Sequence, residues 1–244
     1  MASSKTAIVV SDAHLTGRAG DASEAFQRFL ATVPDSCDHL LINGDLFEFW
    51  FTYRSVIPRE TFSTLAALAN VRQAGVRLTI SGGNHDAWGG SFWEQEIDAE
   101  YLDGPSDLEI AGWSSWMAHG HGLAKADGKG RILHRLTAHP LTIAVFRLIH
   151  PDLSFWMVRK FSAHLSARRW DESLISKTAA AQASFAKNLL DSRKGLDLVV
   201  MGHTHRAALE VVGENRWYLN PGAWVNGLRY GLVTAEGPEL REFS

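Results

Sequence analysis

Ala7-Ile8-Val9-Val10-Ser11-Asp12-Ala13-His14 runs four apolar residues straight into two side chains able to ligate a metal ion. A short aliphatic, β-branched run that stops at small and polar residues reads as a buried strand. Asp12 and His14 therefore emerge where that strand ends. The same arrangement recurs four times. Leu40 to Ile42 leads to Gly44-Asp45, and Val76 to Ile80 leads to Gly83-Asn84-His85-Asp86. Trp116 to Ala118 leads to His119-Gly120-His121, and Leu198 to Met201 leads to Gly202-His203-Thr204-His205. A sheet keeps strand ends in register, so the loops beyond can bring Asp12, His14, Asp45, Asn84, His119, His203 and His205 to one point.

Those side chains offer carboxylates, an amide oxygen and imidazoles, a set suited to Mn²⁺, Zn²⁺ or Fe²⁺, and no thiolate. A carboxylate shared by two ions roughly 3.5–4 Å apart would acidify a water for attack on an ester, with phosphate esters the natural target. Each cluster alone has an ordinary reading. Asp12 suits a helix cap, Gly44-Asp45 and Gly83-Asn84 suit turns, and a single histidine is more often structural. Five such clusters in sequence, each following a strand, carry the functional reading together.

In that order the clusters resemble the calcineurin-like metallophosphoesterase superfamily, whose pattern D-x-H, G-D, G-N-H-D, H-G-H or H-G-D, and G-H-x-H is matched from Ser11 to His205. The resemblance implies an α/β fold, a four-layer αββα sandwich, with two divalent ions, Mn²⁺ first and Fe²⁺ or Zn²⁺ as alternatives. It implies a first ion held by Asp12, His14, Asp45 and His205, and a second held by Asp45, Asn84, His119 and His203, with Asp45 as the bridge. His85 is then the leaving-group acid or phosphoryl contact, and Asp86 orients it.

A narrower resemblance is to the UDP-2,3-diacylglucosamine hydrolases of lipid A biosynthesis. It is carried by Ser11-Asp12-Ala13-His14-Leu15, Gly44-Asp45-Leu46-Phe47-Glu48-Phe49-Trp50 and Gly202-His203-Thr204-His205-Arg206. It implies a nucleotide-lipid substrate, cleaved at its pyrophosphate to UMP and 2,3-diacylglucosamine 1-phosphate. Two positions depart, His85 where the best-known members carry Arg and His121 where they carry Asp. An imidazole replaces a fixed bidentate phosphate contact with a titratable group. The alternative is a related dinuclear-metal phosphodiesterase or pyrophosphatase acting on another nucleotide or lipid.

The 244 residues, 45% of them hydrophobic, are enough for one catalytic domain over 1–244. A net charge of −3 gives no case for nucleic-acid binding. Cys37 is the only cysteine, which excludes disulfides within the chain and fits a reducing compartment. Met1 to Lys5 is too short and polar for a signal peptide, so the expected location is cytoplasmic. Helices are expected over Ser23 to Thr32 and Glu60 to Ala74, alternating with the first three strands. Short antiparallel strands are expected over Leu108 to Ala111 and Ser115 to Ala118. Further strands are expected over Leu209 to Val212, Arg216 to Leu219 and Tyr230 to Thr234.

Between the fourth and fifth clusters lies a segment of a different kind. From Lys125 to Arg169 it holds nine basic residues against Asp127 and Asp152, a net of +7. It is also densely apolar, with Leu141, Val145, Phe146, Leu148, Leu153, Phe155, Trp156 and Met157. Pro140 and Pro151 divide it into short helices. Such a cap, at about 125–169, could receive acyl chains and rest peripherally on the inner membrane surface; ordinary packing on the sheet is the alternative, and the coincidence of positive charge with apolar content favours the lipid reading. Lys125, Lys129, His121 and Arg206 are weaker candidates for substrate contacts. Trp50, Trp88 and Trp93 follow site loops and suit either packing or stacking on a base.

Overall fold

The computed structural model describes residues 5–16, 20–86, 89, 91–122, 140–166 and 172–244. β1 (Ala7–Val10) is buried along its length because both of its faces are covered. Side chains alternate along a strand; Ile8 and Val10 enter one apolar cluster, Ala7 and Val9 another. The chain continues through α1 (Asp21–Ser36), β2 (His39–Asn43), α2 (Phe62–Gln73), β3 (Arg77–Ser81), α3 (Phe92–Glu96) and β4 (Glu100–Leu102). β1 to β4 pair in parallel, as strands joined by helical crossovers can.

β5 (Ser106–Ile110) and β6 (Trp113–Ala118) form an antiparallel pair. Among the described residues three helices follow, α4 (Pro140–Arg147), α5 (Pro151–Ser166) and α6 (Glu172–Ser192). The chain then runs through β7 (Leu198–Met201), β8 (Ala208–Val211), β9 (Trp217–Asn220), β10 (Arg229–Thr234) and β11 (Gly237–Glu242). The strand orders are β11-β10-β1-β2-β3-β4 and β5-β6-β7-β9-β8. β10 returns from the C-terminal segment to pair antiparallel with β1.

Three apolar layers hold these elements together. Phe26, Phe29 and Leu30 of α1 and Leu65, Leu68 and Val71 of α2 pack on the outward residues of β1, β2 and β3. Ala7, Val9 and Leu41 meet Met117, Leu198, Val200 and Leu219 between the two sheets. Ala186 and Leu190 of α6 cover Trp116, Val199, Met201 and Tyr218. The result is the αββα layering that the sequence implies.

Four departures have local causes. α1 extends to Ser36 through Pro34, because a proline in the last turn removes only one late backbone hydrogen bond. The helix expected from Glu60 begins as a 3₁₀ turn over Arg59–Thr61. β4 has only three residues, and β11 carries Gly-Pro and three charged positions, Glu239, Arg241 and Glu242; both are edge strands, where proline and charge are tolerated. α6 escaped the sequence reading because its buried stripe, Thr178, Gln182, Ala186 and Leu190, recurs every fourth residue but starts with two polar side chains.

Pro140 and Pro151 each open a helix, where the missing N–H costs nothing. Lys125, Lys129, Arg131, Arg135, Arg168, Arg169 and Trp88 lie outside the described residues. α4 and α5 dock through Phe146 and Phe155, whose rings lie 5.2 and 4.7 Å from buried Phe51. Arg147 Nε donates to the Thr52 carbonyl (3.2 Å), and Tyr53 Oη lies 3.0 Å from that of Ile149. No helix of the described residues is long and apolar enough to cross a membrane.

Leu41→Ala should lower the free energy of unfolding by about 2–5 kcal/mol, because Leu41 is fully buried in the layer between the sheets. Urea titration measures it, and a loss below about 1 kcal/mol would mean that this layer contributes little to stability.

Candidate metal centre

The C-terminal ends of β1, β2 and β3 in one sheet and of β6 and β7 in the other open toward the same place, which is where ligands settle on α/β sheets. The loops beyond continue the pairing of their strands. Asp12, His14 and Leu15 donate their backbone N–H groups to the carbonyls of Gly44, Asp45 and Leu46 (2.9–3.1 Å), while Gly202 N–H reaches the His119 carbonyl at 2.9 Å. Glycine makes this approach possible. A Cβ on Gly83 would stand 2.0 Å from Asp45 Oδ1, and one on Gly44, whose φ is +79°, would stand 2.3 Å from His119 Nδ1.

Asp12, His14, Asp45, His203 and His205 all have positive φ, between 45° and 68°. That conformation costs on the order of 1 kcal/mol or more per residue and persists where surrounding structure imposes it. Here the carboxylates themselves impose part of it. Asp12 Oδ2 accepts the His203 backbone N–H at 2.9 Å and lies 2.5 Å from Ser11 Oγ. Asp45 Oδ1 accepts the His85 backbone N–H at 2.9 Å. One oxygen of each carboxylate is thereby committed to holding a neighbouring loop.

The second oxygens face imidazoles. Asp12 Oδ1 lies 3.3, 3.9 and 4.0 Å from Nε2 of His205, His119 and His14. Asp45 Oδ2 lies 3.2 Å from His119 Nε2 and 3.9 Å from His14 Nε2. Two sets of ligand atoms result, Asp12 with His14 and His205, and Asp45 with His119 and His203. Asp45 touches both, since His14 belongs to one set and His119 to the other. The His119 ring is oriented from behind, its Nδ1 2.8 Å from the Asn43 carbonyl, which leaves Nε2 as the nitrogen that faces the centre and would meet a metal.

This arrangement fits divalent cations. Asp12 Oδ1 and His119 Nε2 are buried with no hydrogen bond from any described residue, a costly state unless an ion completes them. Electrostatics point the same way. Burial pushes Asp12 up, but His119 and His205 outweigh it and hold the carboxyl at about 2. Burial likewise disfavours charged His119 and His14, yet Asp45 and Asp12 raise His119 to about 10, and Glu48, Asp45 and Asp12 raise His14 to about 9. Protons occupy the place of metal charge when no metal is bound.

Asn84 is exposed at the rim of this cluster, on the loop whose next residue, His85, reaches Asp45. The Asp86 carboxylate accepts the backbone N–H groups of Gly83 (2.6 Å) and Leu46 (2.8 Å), and ties the two loops together. The His85 ring is held by the Glu48 carbonyl, 2.7 Å from Nδ1. His121 is half-buried, its ring centre 5.5 Å from that of His119 and 6.2 Å from that of His203. Exposed Arg206 is paired with Glu172 of α6. Trp50 and Trp93 are fully buried against Phe47 and Phe92, so they are core residues.

Sequence reading missed the supports. Gln182 Nε2 and Asn220 Nδ2 both donate to the Gly202 carbonyl (3.1 Å), and Tyr218 Oη donates to Gln182 Oε1 at 2.9 Å. This buried network fixes the turn that presents His203 and His205. Glu48, also missed, brings its carboxylate 3.2 Å from His14 Nδ1. Its place in the run from Gly44 to Trp50, three residues after Asp45, was the signal available.

Residues 5–207 match the family described as calcineurin-like phosphoesterase. A protein of Ralstonia nicotianae named UDP-2,3-diacylglucosamine hydrolase is 28% identical over 93% of this chain and 90% of its own length. One of the same name from Xanthomonas oryzae pv. oryzae is 28% identical over 98% of this chain and 99% of its own. The crystal structure of Chaetomium thermophilum Vps29 aligns over 97% of this chain and 86% of its own at 14% identity, with a TM-score of 0.47.

Asp45→Ala should weaken divalent-ion binding at both positions, and by more than the roughly 10–100-fold typical of losing an outer-shell partner. Metal analysis after dialysis checks it, and full retention of either ion would remove Asp45 from the bridging position. Because His14 and His119 titrate near 9 and 10, both are protonated in the metal-free protein at pH 7. Metal uptake there should release protons, and affinity should rise as pH approaches 9. Calorimetry in buffers of different ionisation enthalpy measures that release; uptake without proton release would contradict the electrostatics.

Proposed function

The chain belongs to the calcineurin-like phosphoesterase family and is a metal-dependent phosphoester hydrolase, and on that premise we propose that its substrate is UDP-2,3-diacylglucosamine, cleaved at the pyrophosphate to UMP and 2,3-diacylglucosamine 1-phosphate. The observation that carries this choice is the exposed apolar surface of the cap. Leu141, Val145, Leu148, Leu153, Trp156 and Met157, between 42% and 86% exposed, all lie on α4, α5 and the turn between them. These elements dock through Phe51 to Tyr53, which begin three residues beyond Glu48. An apolar face joined so closely to a phosphoesterase centre suits a substrate carrying acyl chains beside its phosphates. The relatives named UDP-2,3-diacylglucosamine hydrolase support the same choice.

In this reading Asp12, His14, Asp45 and His205 hold one divalent ion and Asp45, Asn84, His119 and His203 the other, Mn²⁺ being the ion proposed. Bound ions of this kind acidify water and stabilise charge on a phosphoryl group. The residues supply the rest. Asp12 and Asp45 keep the two sets of imidazoles at a common centre, while the buried loop contacts exclude bulk water beneath it. His85, with Nδ1 committed to the Glu48 carbonyl, has Nε2 available to contact a phosphoryl oxygen or to pass a proton to the departing group.

The apolar face also has the character of a surface that rests on a membrane, with Lys160 set over the Trp156 ring at 4.6 Å. We propose peripheral attachment there, on the cytoplasmic side of the inner membrane.

Metal-free protein resupplied with Mn²⁺ should release UMP and the diacyl sugar phosphate from UDP-2,3-diacylglucosamine, identified by mass spectrometry. No release alongside brisk hydrolysis of a simple phosphodiester would move the substrate to another nucleotide or lipid. His85→Ala should lower turnover about 10²–10⁴-fold if the imidazole transfers a proton, with both ions retained. Leu153→Ser combined with Trp156→Ser should depress turnover of the acylated substrate at least tenfold more than that of a small diester; equal losses would refute the role given to the cap.

A further inference from the structure

We propose that Glu48 is the positioning residue of the centre, setting two of its imidazoles from one point in the chain, an inference that rests on the hydrolase reading above. The Glu48 carbonyl lies 2.7 Å from His85 Nδ1, and its carboxylate Oε2 lies 3.2 Å from His14 Nδ1. A carbonyl oxygen has no proton to give, so His85 donates from Nδ1, while the Glu48 carboxylate faces His14 Nδ1 at ion-pair distance and favours the proton there. Both rings are thereby left with Nε2 as the working atom. For His14 that atom points at the centre, 3.9 Å from Asp45 Oδ2 and 4.0 Å from Asp12 Oδ1.

Geometry leaves little alternative for these rings. Their centres are 4.9 Å apart at an interplanar angle of 89°, the edge of one against the face of the other. Glu48 is itself anchored, since its N–H donates to the Leu15 carbonyl at 3.2 Å and the N–H of Trp50 donates to the His85 carbonyl at 3.0 Å. The segment is therefore pinned at Asp45 in the centre and at Phe51 beneath the cap, with Glu48 midway. A shift of the cap that moved this segment would reach His14 and His85 through one residue.

His14, Glu48 and His85 also offer ligand atoms within 4.8 Å of one another, so a direct role in holding an ion must be distinguished from positioning. Substitution separates the two. Glu48→Gln keeps an oxygen facing His14 Nδ1, whereas Glu48→Ala removes it; neither alters the backbone carbonyl that holds His85.

The test is titration of metal-free wild type, Glu48→Ala and Glu48→Gln with Mn²⁺, together with melting of the metal-free proteins and turnover of a simple phosphodiester. Glu48→Ala should weaken one of two Mn²⁺ sites about 10–100-fold, leave the other and the metal-free melting temperature unchanged, and lower kcat at limiting Mn²⁺ without raising KM. Glu48→Gln should recover most of that affinity. The inference is overturned if Glu48→Ala binds both ions as wild type does. It is equally overturned if both sites weaken together with the melting temperature, or if Gln and Ala lose the ion alike, as a direct ligand would. Wild type that takes up no Mn²⁺ would sink the hydrolase reading and this inference with it; normal uptake by wild type and Glu48→Ala alike would sink this inference alone.

Discussion

Two carboxylates buried side by side set the terms for everything around them. Asp12 and Asp45 are 0% and 2% exposed, and removing such groups from water costs several kcal/mol each unless positive charge and hydrogen-bond donors replace the solvent. Each carboxylate meets this demand in two ways. One oxygen takes backbone N–H groups from a neighbouring loop, and the other turns to imidazoles. The loops are thus assembled by the same groups that assemble the centre. Positive φ at Asp12, His14, Asp45, His203 and His205 is the conformational cost of that convergence, sustained by rigid strand ends beneath.

The sandwich explains why those strand ends coincide. β1 and β2 are neighbours in one sheet, β6 and β7 in the other, and the apolar layer between sheets holds the two pairs face to face. Parallel pairing places their C-terminal ends on one side. Five loops that are distant in sequence can then deliver ligands to a point, with α6 closing the far side through Gln182. Chemistry of the centre and packing of the sheets are one problem in this fold, since a slip of one residue in β2 would turn Leu41 away from the other sheet and carry Asp45 with it.

Much of this was legible in the sequence because strands, turns and ligands follow one another within a few residues. An aliphatic run followed by Gly-Asp, Gly-Asn-His-Asp or Gly-His-Thr-His declares both the element and what it carries. What remained hidden depends on contacts remote in sequence. The resemblance gave Asp86 the role of orienting His85, and adjacency in sequence could not reveal that its carboxylate also accepts from Gly83 and from Leu46, forty residues away. Gln182 gave no signal at all, since a glutamine on a long helix is ordinarily solvated. Trp50 and Trp93 follow site loops, but position along the chain does not tell whether an indole faces a ligand or the core, and both are core.

The segment from Asp45 to Tyr53 ties these levels together. It begins at a residue touching both ligand sets, passes Phe47 in the core and Glu48 behind two imidazoles, and ends with Phe51 and Tyr53 under the cap. Buried aromatic packing makes such a stretch stiff, because Phe47, Trp50 and Phe51 have no room to change rotamer independently. Stiffness is what a metal centre requires, since small displacements of a ligand matter when charge develops between fixed groups. It also means that the cap and the centre share a support. The exposed apolar face of α4 and α5 is thereby tied through Phe51 and Tyr53 to the same segment that carries Asp45 into the centre.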